Sequence, residues 1–144
     1  PPLVPAAPSN PGLKATWHEF KGNKCSEIEK APVNGTYPVE DVMIPKKVKG
    51  NIGLIIKGYF NAPQDDIYTF ALLSDDGSTL TIDSEQIVDN DGPHGPKEIV
   101  GQKALAKGYH PMELRYFDQN GGQLKLKVTG SDGKEIPFTH LYAH

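Results

Sequence analysis

Turn signals recur along this chain at intervals too short for helices. Gln64-Asp65-Asp66, Asp75-Asp76-Gly77, Asn120-Gly121-Gly122 and Ser131-Asp132-Gly133 separate apolar, β-branched or aromatic runs, and Gly, Asn and Asp supply the backbone angles that tight connections need. The runs have strand character. Ile52-Gly53-Leu54-Ile55-Ile56 and Ile67-Tyr68-Thr69-Phe70-Ala71-Leu72-Leu73 are apolar without a break, which predicts central strands buried on both faces. Met112, Leu114 and Tyr116 interleave with Glu113, Arg115 and Phe117, and Leu124, Leu126 and Val128 interleave with Lys125 and Lys127. That period of two puts alternate side chains on opposite faces of a sheet. No window sustains a 3.6-residue period, and Gly and Pro recur too often to allow one. The expected fold is therefore all-β, an antiparallel β-sandwich or barrel-like double sheet of the jelly-roll kind. Its predicted core is Tyr68, Phe70, Leu72, Leu80, Ile82, Leu114, Tyr116, Leu124 and Leu126.

At 144 residues the chain suits one domain able to bury roughly two thirds of its unfolded surface. Residues 1–11 hold five of the thirteen prolines, a composition that favours an extended linker. The expected organisation is a proline-rich linker over 1–11 and a β domain over 12–144, a module attached to something upstream. Fifteen basic against eighteen acidic residues give a net charge of −3 with no basic stripe, which argues against nucleic acid as a partner. No apolar run approaches the roughly 20 residues that span a bilayer. Cys25 is the single cysteine, so an internal disulfide is excluded, and the thiol reads as a surface group or a small buried filler.

The chemistry of the chain centres on Asp75 and Asp76. Two carboxylates side by side in a turn repel unless a cation, an Arg or a set of N–H donors neutralises them, and a hard cation with oxygen ligands is one solution. Read alone, the loop is more simply an Asp-Gly surface turn, with the second Asp pointing into water. No catalytic constellation stands beside it: the five histidines occur in no H-E-x-x-H context, and there is no G-x-S-x-G elbow or phosphate loop. The segment from Asp89 to Glu98 is a near miss for a calcium-binding EF-hand loop, failing at the first ligand position, which Ile87 occupies. It reads as a polar surface loop, free to lie beside the Asp75-Asp76 turn. Aromatic rings that could stack on a sugar are plentiful, but Trp17, Tyr59, Tyr68, Phe70 and Tyr116 read as core, leaving Tyr109, Phe117 and Tyr142 as the candidates for exposure.

An ordered series of motifs then resembles a known family, the protective-antigen fourteen-kilodalton (PA-fourteen) domain. The series runs from Gly12-Leu13-Lys14-Ala15-Thr16-Trp17 through Ile56-Lys57-Gly58-Tyr59-Phe60 to Asp66-Ile67-Tyr68-Thr69-Phe70-Ala71-Leu72-Leu73-Ser74-Asp75-Asp76-Gly77-Ser78. It continues through Leu80-Thr81-Ile82-Asp83, Ile87-Val88-Asp89-Asn90, His94 and Leu105-Ala106-Lys107-Gly108-Tyr109-His110-Pro111 to Arg115-Tyr116-Phe117-Asp118 and Leu124-Lys125-Leu126. Nearly everything after the proline-rich segment is covered.

The resemblance implies a β double sheet and, by analogy with the lectin members, a calcium-dependent sugar site. In those members two adjacent Asp, joined by a cis peptide bond, bind Ca²⁺, and a later side chain, commonly Asn, completes the set. The Asp pair matches Asp75 and Asp76. The later ligand falls on Asp118, with Asn120 as the alternative register, so the implied metal set is Asp75, Asp76 and Asp118 and the implied ligand set adds Asn120. The chain departs from the lectin pattern in having an acidic residue at the later position and no disulfide. Ser74-Asp75-Asp76-Gly77-Ser78 with Val88-Asp89-Asn90 is similar to members attached to bacterial β-glucosidases and β-hexosaminidases. The implied function is a noncatalytic carbohydrate-binding module of a secreted or surface glycoside hydrolase, its catalytic domain upstream in the same polypeptide and its location extracellular, periplasmic or on the cell surface. The alternative is a structural or protein-interaction module that shapes the neighbouring catalytic domain and binds no sugar itself.

Overall fold

The structure, a computed structural model, describes residues 10–119, 121–137 and 141–143. Among these, twelve strands form two antiparallel sheets packed face to face, without closing into a barrel. The strands are β1 (Asn10–Pro11), β2 (Leu13–Glu19), β3 (Val33–Val39), β4 (Ile52–Ala62), β5 (Asp66–Asp75), β6 (Ser78–Ile82), β7 (Glu85–Asn90), β8 (Lys97–Leu105), β9 (Gly108–Asp118), β10 (Gln123–Thr129), β11 (Glu135–Ile136) and β12 (Leu141–Ala143). The larger sheet runs β1-β12-β4-β9-β6-β7, with β2 against β4 and β3 against β2; the smaller runs β11-β10-β5-β8. A short 3-10 helix, Cys25–Lys30, lies between β2 and β3. Asn10 and Pro11, counted with the linker in the sequence, pair with Ala143 and Tyr142, so the sheet begins two residues earlier than that boundary; residues 1–9 lie outside the described residues.

Alternation makes the core. Tyr68, Phe70, Leu72, Leu80, Ile82, Leu114 and Tyr116 are fully buried between the sheets and Leu126 nearly so, as expected, while Leu124 is only half-buried. Phe60 joins the two layers, its ring edge-on to Tyr68 at 5.3 Å and to Phe70 at 5.7 Å, the offset arrangement that aromatic quadrupoles favour.

Two expectations fail, for one physical reason. The run Ile67–Leu73 was expected to be buried on both faces, yet Ile67 is 53% exposed because, among the described residues, no element covers the outer face of the smaller sheet at that point. Phe117 was expected near the surface, yet it is fully buried. The 3-10 helix packs on the outer face of the larger sheet and closes a second apolar cluster of Phe20, Cys25, Ile28, Ile55 and Phe117, with Phe20 edge-on to Phe117 at 5.9 Å. The same cover buries the outward residue Ile55, so the Ile52–Ile56 run is apolar on both faces as predicted.

Candidate functional site

The chain crosses from the smaller sheet to the larger in the turn between β5 and β6, and this crossing holds Asp75 and Asp76. Hydrogen bonds across the crossing fix it. Ser74 and Ser78 hydroxyls, both buried, lie 2.5 Å apart, Asp76 N–H donates to Phe117 O (3.2 Å), and Phe117 N–H donates to Gly77 O (3.0 Å). Gly77 is required by close approach: a Cβ there would stand 2.6 Å from the Phe117 ring and 2.7 Å from Gly92 N. The peptide bond between Asp75 and Asp76 is cis.

Backbone donors from two other loops hold the Asp76 carboxylate. His94 N–H donates to its Oδ1 (3.1 Å) and Gln119 N–H to its Oδ2 (3.0 Å), hydrogen bonds that fix where the carboxylate points. The loop that nearly matches an EF-hand therefore does lie beside the Asp turn, through a backbone group. His94 is itself clamped, its ring nitrogens 2.6 Å from Gly95 O and 2.8 Å from Asn90 O. Asn90, buried, ties the base of this loop to the smaller sheet by donating to Leu72 O (3.2 Å) and Lys97 O (2.8 Å). These donors were missed in the sequence because a backbone N–H has no residue signature.

Asp118, at the end of β9, joins the same cluster. A Cβ placed on Gly122 would stand 2.1 Å from Tyr116 Oη, 2.2 Å from Asp75 O and 2.8 Å from Asp118 Cγ, so the hydroxyl, the carbonyl and the carboxyl group surround one small space. Tyr116 donates to Asp75 O at 2.6 Å. Burial, followed by the negative charges of Asp118, Asp75 and Asp76, pushes the Tyr116 hydroxyl up from the ordinary phenol range, so it stays protonated and remains a donor. Asp118 is buried, while Asp75 and Asp76 are half-buried. Asn120, the alternative register for the later ligand, lies outside the described residues.

The donor chemistry fits a hard cation, because carboxylates and a carbonyl converge and no ion pair to a basic side chain engages Asp75 or Asp76 among the described residues. Side chains alone do not enclose one: among the described residues, no three His, Cys, Asp or Glu groups form a metal centre by themselves. An ion held here would draw on carbonyl and external oxygens too, a mixed set that calcium accepts. Of the aromatic candidates, Phe117 is buried under the helix, Tyr109 is half-exposed at the start of β9, and the Tyr142 side chain lies outside the described residues.

The PA14 domain family matches residues 9–138. The chain belongs to the PA14 domain family. Solved structures share the fold at low identity. The PA14 sugar-binding domain from an RTX adhesin superposes with a TM-score of 0.79 at 16% identity, covering 94% of this chain and 100% of that one. An epithelial adhesin 6 A domain from Candida glabrata, solved in complex with Galβ1-3GlcNAc, gives 0.68 at 13% identity over 95% of this chain and 88% of its own. A β-glucosidase from Kluyveromyces marxianus in complex with glucose gives 0.64 at 17% identity, covering 83% of this PA14 domain and 16% of the glucosidase. No curated protein matches the chain. No described helix is long and apolar enough to cross a membrane.

Proposed function

We propose that this PA14 domain is a noncatalytic carbohydrate-binding module that captures sugar at the Asp75-Asp76 turn, as the accessory part of a bacterial glycoside hydrolase of the β-glucosidase or β-hexosaminidase type. In that role it is extracellular, periplasmic or at the cell surface, with the catalytic domain upstream in the same polypeptide. One observation carries the reading: Asp76 is held in place by backbone N–H groups from two loops, beside Asp75 and Asp118, so negative oxygens are oriented without being matched by a basic side chain at Asp75 or Asp76. The similar structures lend support, one being a sugar-binding domain, one a complex with a disaccharide and one a glucosidase. Asp75, Asp76 and Asp118 would hold calcium, which when bound neutralises the carboxylates and offers coordination positions to sugar hydroxyls.

Glycan-array binding with and without calcium tests this, together with calorimetric titration of millimolar Ca²⁺. Exposed extracellular calcium sites bind at about 10⁻⁴ to 10⁻³ M. Asp76→Ala is expected to abolish calcium-dependent stabilisation and calcium-dependent glycan binding together while the β-rich circular dichroism spectrum persists. Absence of any calcium heat and of any glycan signal in the parent protein would refute it. A second reading, packing against the neighbouring catalytic domain, is favoured by Ile67 and Val100, 53% and 54% exposed on the outer face of the smaller sheet. Under that reading the isolated domain binds no glycan.

A further inference from the structure

The outer face of the larger sheet is covered unevenly. The 3-10 helix roofs one end, its Ile28 so close to Gly53 that a Cβ there would stand 2.8 Å away. Toward the other end the face opens into a groove of about 460 Å³, within the roughly 300–1,000 Å³ range of small-molecule sites. Its lining is ordered by strand register. One row crosses four strands, Lys14 opposite Lys57, Lys57 opposite Glu113 and Glu113 opposite Thr81; the neighbouring row on the same face sets Tyr59 opposite Pro111.

The charge along this row does not balance. Lysines directly opposite each other on neighbouring strands repel, and Glu113 is shared between Lys57 (3.6 Å) and Arg115 (2.9 Å), with Glu29 also 3.3 Å from Arg115. Three cations therefore meet two carboxylates, and Lys14 has no acidic partner among the described residues. One positive charge is left beside a floor made of an aromatic ring and a proline, with the hydroxyls of Thr81 and Ser84 also lining the groove.

We propose that this groove is a second saccharide site, selective for sugars carrying an anionic group such as a uronate or a sulfate ester. The sugar ring lies on Tyr59 and Pro111, burying its apolar face against the aromatic surface, and its anionic group sits between Lys14 and Lys57. The site needs no metal. It is also separate from the Asp turn, because Pro111 and Asp118 lie toward opposite ends of β9, roughly 20 Å apart at the rise of a strand.

The test is calorimetric titration of the full chain in EDTA with trigalacturonate, a sulfated chondroitin disaccharide, a neutral disaccharide and inorganic sulfate. At least one anionic sugar is expected to bind ten-fold or more tightly than the neutral sugar, and the tighter of the two names the group recognised. Lys14→Ala and Tyr59→Ala should each weaken that binding ten-fold or more while the β-rich circular dichroism spectrum persists, and Asp76→Ala should leave it unaltered. Equal binding of neutral and anionic sugars, inorganic sulfate binding as tightly as the sugars with Tyr59→Ala silent, loss of binding in Asp76→Ala, or no binding of either anionic sugar would each overturn the proposal.

Discussion

Replacing Gly122 by Ala should cost the fold measurably, although it adds a single methyl group just ahead of β10. Gly122 is not in the left-handed region, so backbone conformation presents no obstacle and the effect is steric. The new Cβ meets Tyr116 Oη at 2.1 Å, Asp75 O at 2.2 Å and Asp118 Cγ at 2.8 Å. None of these retreats easily: Tyr116 is fully buried, and Asp75 O is a backbone atom in a ladder with Gln123. Overpacking of this kind costs about 1–3 kcal/mol, and parting Tyr116 from Asp75 O forfeits a further ~1 kcal/mol, for a total of about 2–4 kcal/mol. With an unfolding entropy near 2.1 cal/mol/K per residue, a chain of this size loses about 3 °C of melting temperature per kcal/mol, so a fall of roughly 7–13 °C is expected. Thermal unfolding by circular dichroism or calorimetry measures it. Tyr116→Phe removes the hydrogen bond alone and should fall by about half as much or less. In that background Gly122→Ala should cost less than in the parent, because the nearest clashing atom has gone. A Gly122→Ala variant within a degree or two of the parent, or additive with Tyr116→Phe, would refute the packing argument.

Two further predictions concern titratable groups away from the sites. The Cys25 thiol is buried under the 3-10 helix, with its sulfur 3.7 Å from Arg115 O, and burial followed by the neighbouring Asp91 charge pushes it far above the ordinary thiol range; a thiol reagent at pH 8 should therefore label it only as the protein unfolds, and rapid stoichiometric labelling of native protein would contradict this. Asp66 accepts N–H bonds from Ser131 (3.0 Å) and Ile67 (2.8 Å), and the Ser131 contacts hold its carboxyl below the usual carboxylate range. A depressed carboxyl contributes stability that is complete above its unfolded value, about 3.9, and is lost as pH falls through the lower folded value. The melting-temperature gap between parent and Asp66→Asn should be constant from about pH 7 to 5 and shrink below about 4, and a gap unchanged at pH 2.5 would count against it.

Two apolar runs show what the sequence could and could not reveal. Ile52–Ile56 and Ile67–Leu73 look alike as text, and each predicts a strand correctly, because β-branched and aromatic runs bounded by turns carry that information locally. Whether the second face is covered is decided elsewhere. Ile55 is covered by the helix at 25–30 and Ile67 by none of the described residues' elements, and Phe117 was misjudged for the same reason, since its cover is about ninety residues distant. At the candidate site the adjacent carboxylates stood out because like charges need a reason to adjoin. Their holders did not, because His94 and Gln119 act through backbone N–H groups. Gly122 was legible only as a turn residue until its three oxygen-bearing neighbours were in place. The row of Lys14, Lys57, Glu113 and Thr81 was invisible in one dimension, being a product of register among four strands.

The two candidate surfaces depend on the sandwich in different ways. The Asp turn is where the chain passes from the smaller sheet into the larger, and its holding groups straddle both: Ser74 lies on β5 and Ser78 on β6, and Asn90 on β7 donates to carbonyls of Leu72 and Lys97 in the other sheet. Its geometry is therefore set by how the sheets dock on one another, which rests on the side chains packed between them, Phe60, Tyr68, Phe70 and Leu72 among them. The groove, in contrast, is built from β2, β4, β9 and β6, hydrogen-bonded neighbours within one sheet. A shift of one layer against the other moves Asp75 relative to His94 without altering the spacing of Lys14, Lys57 and Glu113. Interiors packed at crystal-like density transmit such shifts as displacements and do not absorb them, so the turn is the surface that senses strain in the core, including any imposed by a domain docked on the exposed face around Ile67 and Val100. A domain built in this way can couple what touches it on one side to the geometry of the turn, while a groove carried by a single ladder stays constant.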